Sequence, residues 1–185
     1  ANVGTEDFVI PVVGECDDGE MADSRTVTGE DVTRAREALG VEVLEGTVGA
    51  GTGMTCFDFP GGIGTASRRV GDHTVGVLLL CNFGDREYLD LFGHQLDPAP
   101  RKADSHGSCI AVCATDAPLS VSQLRRLSLR PQLGLARAGS YGAEGSGEIG
   151  IAFATSEGAG VTGAGLNPLL AAAWEAGHEA VYNCL

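Results

Sequence analysis

Three apolar segments constrain this chain more than any other feature: residues 74–82 (TVGVLLLCN), 108–115 (SCIAVCAT) and 148–155 (EIGIAFAT). Short continuous runs of this kind read as core strands. Helix signals stand around them. Thr28 and Asp31 form an N-cap pair that opens a helix over residues 29–39, with Val32, Ala35 and Leu39 at helical spacing and Gly40 as its stop. Ser120 with Gln123 makes a capping box and Leu119 with Leu124 a hydrophobic staple, for a helix that runs to Leu129 and stops near Pro131. Asn167 and Pro168 open a last helix whose apolar stripe is Leu169, Leu170, Ala173, Trp174, Gly177 and Val181. Residues 85–107 read as a loop or edge hairpin. Helices and strands mixed in this way predict an α/β fold of layered helix and sheet.

A chain of 185 residues can bury a real core, and we expect one domain over 1–185. Its 25 acids against 12 bases give a net charge of −13, which argues against nucleic acid as a partner, since that needs a basic face. The longest apolar run, residues 75–81, is too short to cross a bilayer, so no membrane role is expected. No charged and apolar leader pattern is visible, and the expected location is cytoplasmic. Among the bases only Lys102 is a lysine. Either a salt-rich cytoplasm or GC-rich coding explains that bias.

Six cysteines (16, 56, 81, 109, 113 and 184) include no C-x-x-C pair and no histidine at zinc-finger spacing. They read as free, buried thiols in a reducing compartment, with no metal site and no cofactor expected. Gly158, Gly160 and Gly163 spell G-x-G-x-x-G, but the chain ends in the following helix, so no second βαβ strand follows to complete a dinucleotide site. The G-x-S-x-G elbow and the phosphate P-loop are both absent.

Gly145-Ser146-Gly147 lies in a polar loop directly before the third strand. Its plain reading is a flexible turn. Its chemical reading is a serine that attacks the carbonyl of the preceding glycine and is freed as a new N-terminus. An α-amine of pKa about 7.7–8.0 then serves as base for its own hydroxyl, and no histidine is needed.

The ordered segments VIPVVGE (9–15), GTVGAGTGM (46–54), GGIGTASR (61–68), TVGVLLLCNFG (74–84), ATDAPLS (114–120), QLRRL (123–127), LGLARAGS (133–140) and GSGEIGIAFATS (145–156) resemble the L-aminopeptidase/D-amidase/D-esterase family, which includes the β-peptidyl aminopeptidases. The resemblance implies an αββα-type sandwich, incomplete in this chain, and self-cleavage between Gly145 and Ser146. It implies that Ser146 is the nucleophile of an aminopeptidase or amidase acting on small peptides and aminoacyl amides or esters. Asn82, the Asn of NFG, is then an oxyanion donor. Family members carry an N-terminal half ahead of VIPVVGE, which supplies further strands and the acidic group for the substrate amine. That half is an expected partner, and a homo-oligomer is expected. The alternatives are a same-fold acyltransferase like the ornithine acetyltransferases, or a non-catalytic remnant domain.

Overall fold

The computed structural model describes Gly14, Cys16 and residues 27–98 and 107–185. The VIPVVGE segment lies outside the described residues except for Gly14. All three apolar runs form strands, and a fourth strand precedes them. The elements are α1 (Gly29–Glu37), β1 (Thr55–Cys56), β2 (Phe59–Pro60), β3 (Ile63–Val70), β4 (His73–Asn82), β5 (Ser108–Thr115), α2 (Val121–Leu127), α3 (Arg130–Ala138), β6 (Gly147–Ala154) and α4 (Leu166–Asn183). The main sheet has the order β3-β4-β5-β6. The β3–β4 and β4–β5 pairs are antiparallel, and β5–β6 is parallel, joined by the α2–α3 crossover that parallel strands require.

Alternation along the strands separates two faces. Val75, Val77, Leu79 and Cys81 point to one side with Cys109, Ala111 and Cys113, and all are buried in the main core. Helix α4 covers that side through Leu169, Ala173, Ala176, Ala180 and Val181. The contact is at backbone distance: a Cβ on Gly64 would collide with the carbonyl oxygen of Ala180. Helices α3 and α4 meet just as closely, since a Cβ on Gly177 would sit 2.6 Å from Pro131 Cα.

Leu78, Leu80, Ile110, Val112 and Ile149 occupy the opposite face. Only part of it is covered, by a small cluster of Cys16, Met54, Leu80 and Ile110. Ile149 and Phe153 are each 47% exposed. The chain therefore supplies one helix layer and one sheet of the layered α/β fold. Among the described residues no helix is long and apolar enough to cross a membrane.

Several boundaries differ from the sequence expectations. Pro131 does not stop a helix; it stands in the first turn of α3, where its missing N–H costs nothing, and the helix before it ends at Leu127. α3 closes on Gly139, at φ +119. β3 was hidden in the glycine-rich GGIGTASR segment. The Thr28–Asp31 capping box is present, but α1 buries none of its residues, so its apolar stripe faces water. The glycines of G-x-G-x-x-G serve packing: a Cβ on Gly158 would sit 2.5 Å from Pro118 Cβ. The Gln123 side chain occupies the space beside Gly160 and holds both the N–H and the carbonyl of Val161.

Candidate active site

Three strand ends meet at one edge of the main sheet. The register sets Asn82 opposite Ser108, and Ser108 opposite Gly147. Neighbouring strands lie about 4.8 Å apart and one row shares one face, so Asn82 and Ser108 are direct neighbours on the open face.

Asn82 is held by the β1–β2 hairpin. The Thr55 N–H donates to Asn82 Oδ1 at 3.1 Å. An N–H can only donate, so the oxygen faces Thr55 and the NH2 group is the donating end of the side chain. The hairpin turn is strained, with Phe57 and Asp58 at φ +50 and +64, a left-handed pair usually given to Asn and Gly. Packing compensates. Phe57 is fully buried, edge-on to Phe83 at 5.3 Å, and its N–H donates to Phe83 O at 2.8 Å. This locks the NFG turn against the hairpin and fixes Asn82 from both sides.

Ser108 was not singled out by its sequence, yet it occupies the middle of the row. The Gly107–Ser108 peptide is clamped. A Cβ on Gly107 would sit 3.0 Å from Phe83 Cα and 3.1 Å from Asn82 O, so glycine is what allows this approach. The Gly107 carbonyl already accepts a hydrogen bond from the Gly147 N–H at 3.2 Å. A Gly-Ser step, a carbonyl with an N–H donor, and a carboxamide on the adjacent strand thus converge.

Ser146 lies beside this row, one residue ahead of Gly147. Its N–H donates to Ala143 O at 2.9 Å, closing a turn in which Gly145 takes φ +88, the left-handed position of a type II turn. Its hydroxyl donates to Glu148 Oε1 at 2.7 Å. Glu148 is opposite Cys109, so it belongs to the helix-covered side and borders an open pocket of about 380 Å³ with Tyr141, Ser140, Gln132 and Leu129. Asn82, Ser108 and Gly147 thus stand in one cross-strand row, with Gly145 and Ser146 just ahead of Gly147 and Glu148 just after it. A Gly-Ser step at the mouth of an apolar run was the available signal for Ser108.

All six cysteines are buried and none is in a disulfide, as expected. Burial pushes the Cys113 thiol up to about 12. Three others converge just beneath the row, where Cys81 precedes Asn82 and Cys56 follows Thr55.

Comparison with known proteins places the chain in a family. The model of Peptidase family S58 matches residues 1–185. The beta-peptidyl aminopeptidase BapA of Sphingosinicella microcystinivorans is 41% identical over 172 residues, covering 79% of this chain and 43% of that protein. The chain thus spans less than half the length of this curated relative. A Burkholderia beta-aminopeptidase structure superposes with a TM-score of 0.72 at 39% identity, over 86% of this chain and 51% of that one. The L-aminopeptidase D-Ala-esterase/amidase of Ochrobactrum anthropi, described as a variant of the Ntn hydrolase fold, superposes with a TM-score of 0.76 at 36% identity, over 88% of this chain and 50% of that one. With a family match over residues 1–185, the chain belongs to peptidase family S58.

Proposed function

We propose that this chain is the nucleophile-bearing part of a self-processing serine aminopeptidase or amidase, and that Ser108 is the nucleophile. The observation that carries this reading is the Asn82–Ser108–Gly147 row, with the Gly107 carbonyl already held by the Gly147 N–H. Ser108 Oγ attacks the Gly107 carbonyl carbon, the C–N bond breaks, and the nitrogen leaves protonated as the new amine. Water then hydrolyses the Gly107 ester and frees Ser108 as an N-terminus. In turnover the α-amine of Ser108 takes the proton of its own hydroxyl, which attacks an amide or ester carbonyl. The Asn82 NH2 and the Gly147 N–H meet the developing oxyanion.

The second reading keeps the sequence assignment, cleavage between Gly145 and Ser146 with Ser146 as nucleophile. The 2.7 Å hydrogen bond to Glu148 favours it, since a carboxylate so placed can take the hydroxyl proton. Both readings take small peptides or aminoacyl amides and esters as substrates. In both, the half-exposed face with Ile149 and Phe153 packs against the N-terminal half of the full-length protein within a single domain, in a homo-oligomer.

The test assays the full-length protein on α-aminoacyl amides, β-aminoacyl amides and D-aminoacyl esters, with Ser108→Ala and Ser146→Ala. We expect Ser108→Ala to abolish hydrolysis and Ser146→Ala to slow it. Full turnover by Ser108→Ala would overturn the first reading.

A further inference from the structure

Three thiols far apart in sequence meet in the core. The Sγ atoms of Cys56, Cys81 and Cys184 lie within 4.8 Å of one another, and all three residues are fully buried. They come from β1, from β4 and from the residue that caps α4. Glycines let these elements approach: a Cβ on Gly61 would sit 2.8 Å from Cys56 Cβ, and one on Gly64 would sit 2.8 Å from Cys184 Cβ. Packing as small hydrophobes does not require three sulfurs to face one another.

We propose that Cys56, Cys81 and Cys184 form a buried three-sulfur site for a soft d10 cation, Cu(I). Thiolates select soft cations. A metal–sulfur bond of about 2.3 Å places the three sulfurs of a trigonal set about 4 Å apart, so even the widest pair closes by less than about 1 Å. Structural zinc takes four ligands; Cys109, beside Cys81 across the β4–β5 pair, lies outside the set whose sulfurs are mutually within 4.8 Å. Cu(I) is satisfied by three. On binding, three copper–sulfur bonds form, the three thiol protons pass to solvent, and no electron is transferred. Entry is through the last turn of α4, since helix ends fray. The bound ion ties the end of α4 to β1 and β4, whichever serine is the nucleophile.

The test titrates the reduced full-length protein with Cu(I) under nitrogen, in competition with bicinchoninate. We expect one equivalent to be withheld from the chelator and the thermal midpoint to rise. Cys56→Ala, Cys81→Ala and Cys184→Ser each abolish the uptake, and Cys113→Ala, a buried thiol outside the set, keeps it. X-ray absorption of the loaded wild type reads three sulfurs at about 2.3 Å, which tests the site even where a variant fails to fold. No uptake against the chelator, uptake unchanged in Cys184→Ser, nitrogen or oxygen ligands in the spectrum, or Zn(II) held in preference to Cu(I) would each overturn the proposal.

Discussion

The two faces of the main sheet are made by the same strands and differ in what meets them. On one face Val75, Val77, Leu79 and Cys81 are sealed under α4, with glycines bringing helix and strand backbones together. On the other, Leu78, Ile149, Ile151 and Phe153 are half-buried or exposed, and Asn82 and Ser108 stand at the edge. The sealed face makes the sheet rigid. On the proposed reading, the ends of those rigid strands hold Asn82 and Ser108 against the reacting carbonyl.

Substitutions can break this comparison. The largest effect is expected at Gly64→Val, which drives a branched side chain into the Ala180 carbonyl and should prevent folding or cost well over 3 kcal/mol. Gly76→Ala, on the open face with nothing near its Cβ, should change stability by under about 1 kcal/mol. Urea unfolding of the two variants measures the difference, and equal costs would show that the faces are not distinct. Next is Phe153→Ala in the full-length protein. If the rest of the protein covers the open face, the cost is about 3 kcal/mol; a cost below about 1 kcal/mol would place that face in water.

Asn82→Ala tests the edge itself. Loss of an oxyanion donor should lower kcat by about 10²–10³-fold with the fold intact by circular dichroism. An unchanged kcat would remove Asn82 from the site. The smallest effect is global. The net charge of −13 repels itself, so the thermal midpoint should rise as KCl goes from dilute to molar, by more than in sucrose of matched effect on burial. A flat midpoint would favour GC-rich coding as the reason Lys102 stands alone.

Much of the sealed face was legible in the sequence, because local signals and tertiary roles agree there. β4, β5 and β6 were apolar runs, and both capping boxes stood at helix starts. Pro131 misled because a proline that ends one helix can also open the next, and only the contact with Gly177 shows which. β3 was hidden because Ser67, Arg68 and Arg69 break any apolar pattern, and Gly64 is there for α4 to approach. Asn82 came from a motif. Ser108 and the three thiols were less visible for one physical reason: their significance lies in cross-strand register and helix-on-sheet contact, which no spacing along the chain encodes.

Register also yields the most direct test of the central claim. Asn82 faces Ser108, with the Gly107 carbonyl already hydrogen-bonded to the Gly147 N–H, so self-cleavage should fall between Gly107 and Ser108. Intact mass spectrometry of the purified full-length protein reads the cut directly. The account predicts a fragment that begins at Ser108, lost in Ser108→Ala. A fragment that begins at Ser146 would contradict it and return the nucleophile to the Gly145–Ser146 turn, and an uncleaved chain that still turns over substrate would contradict both.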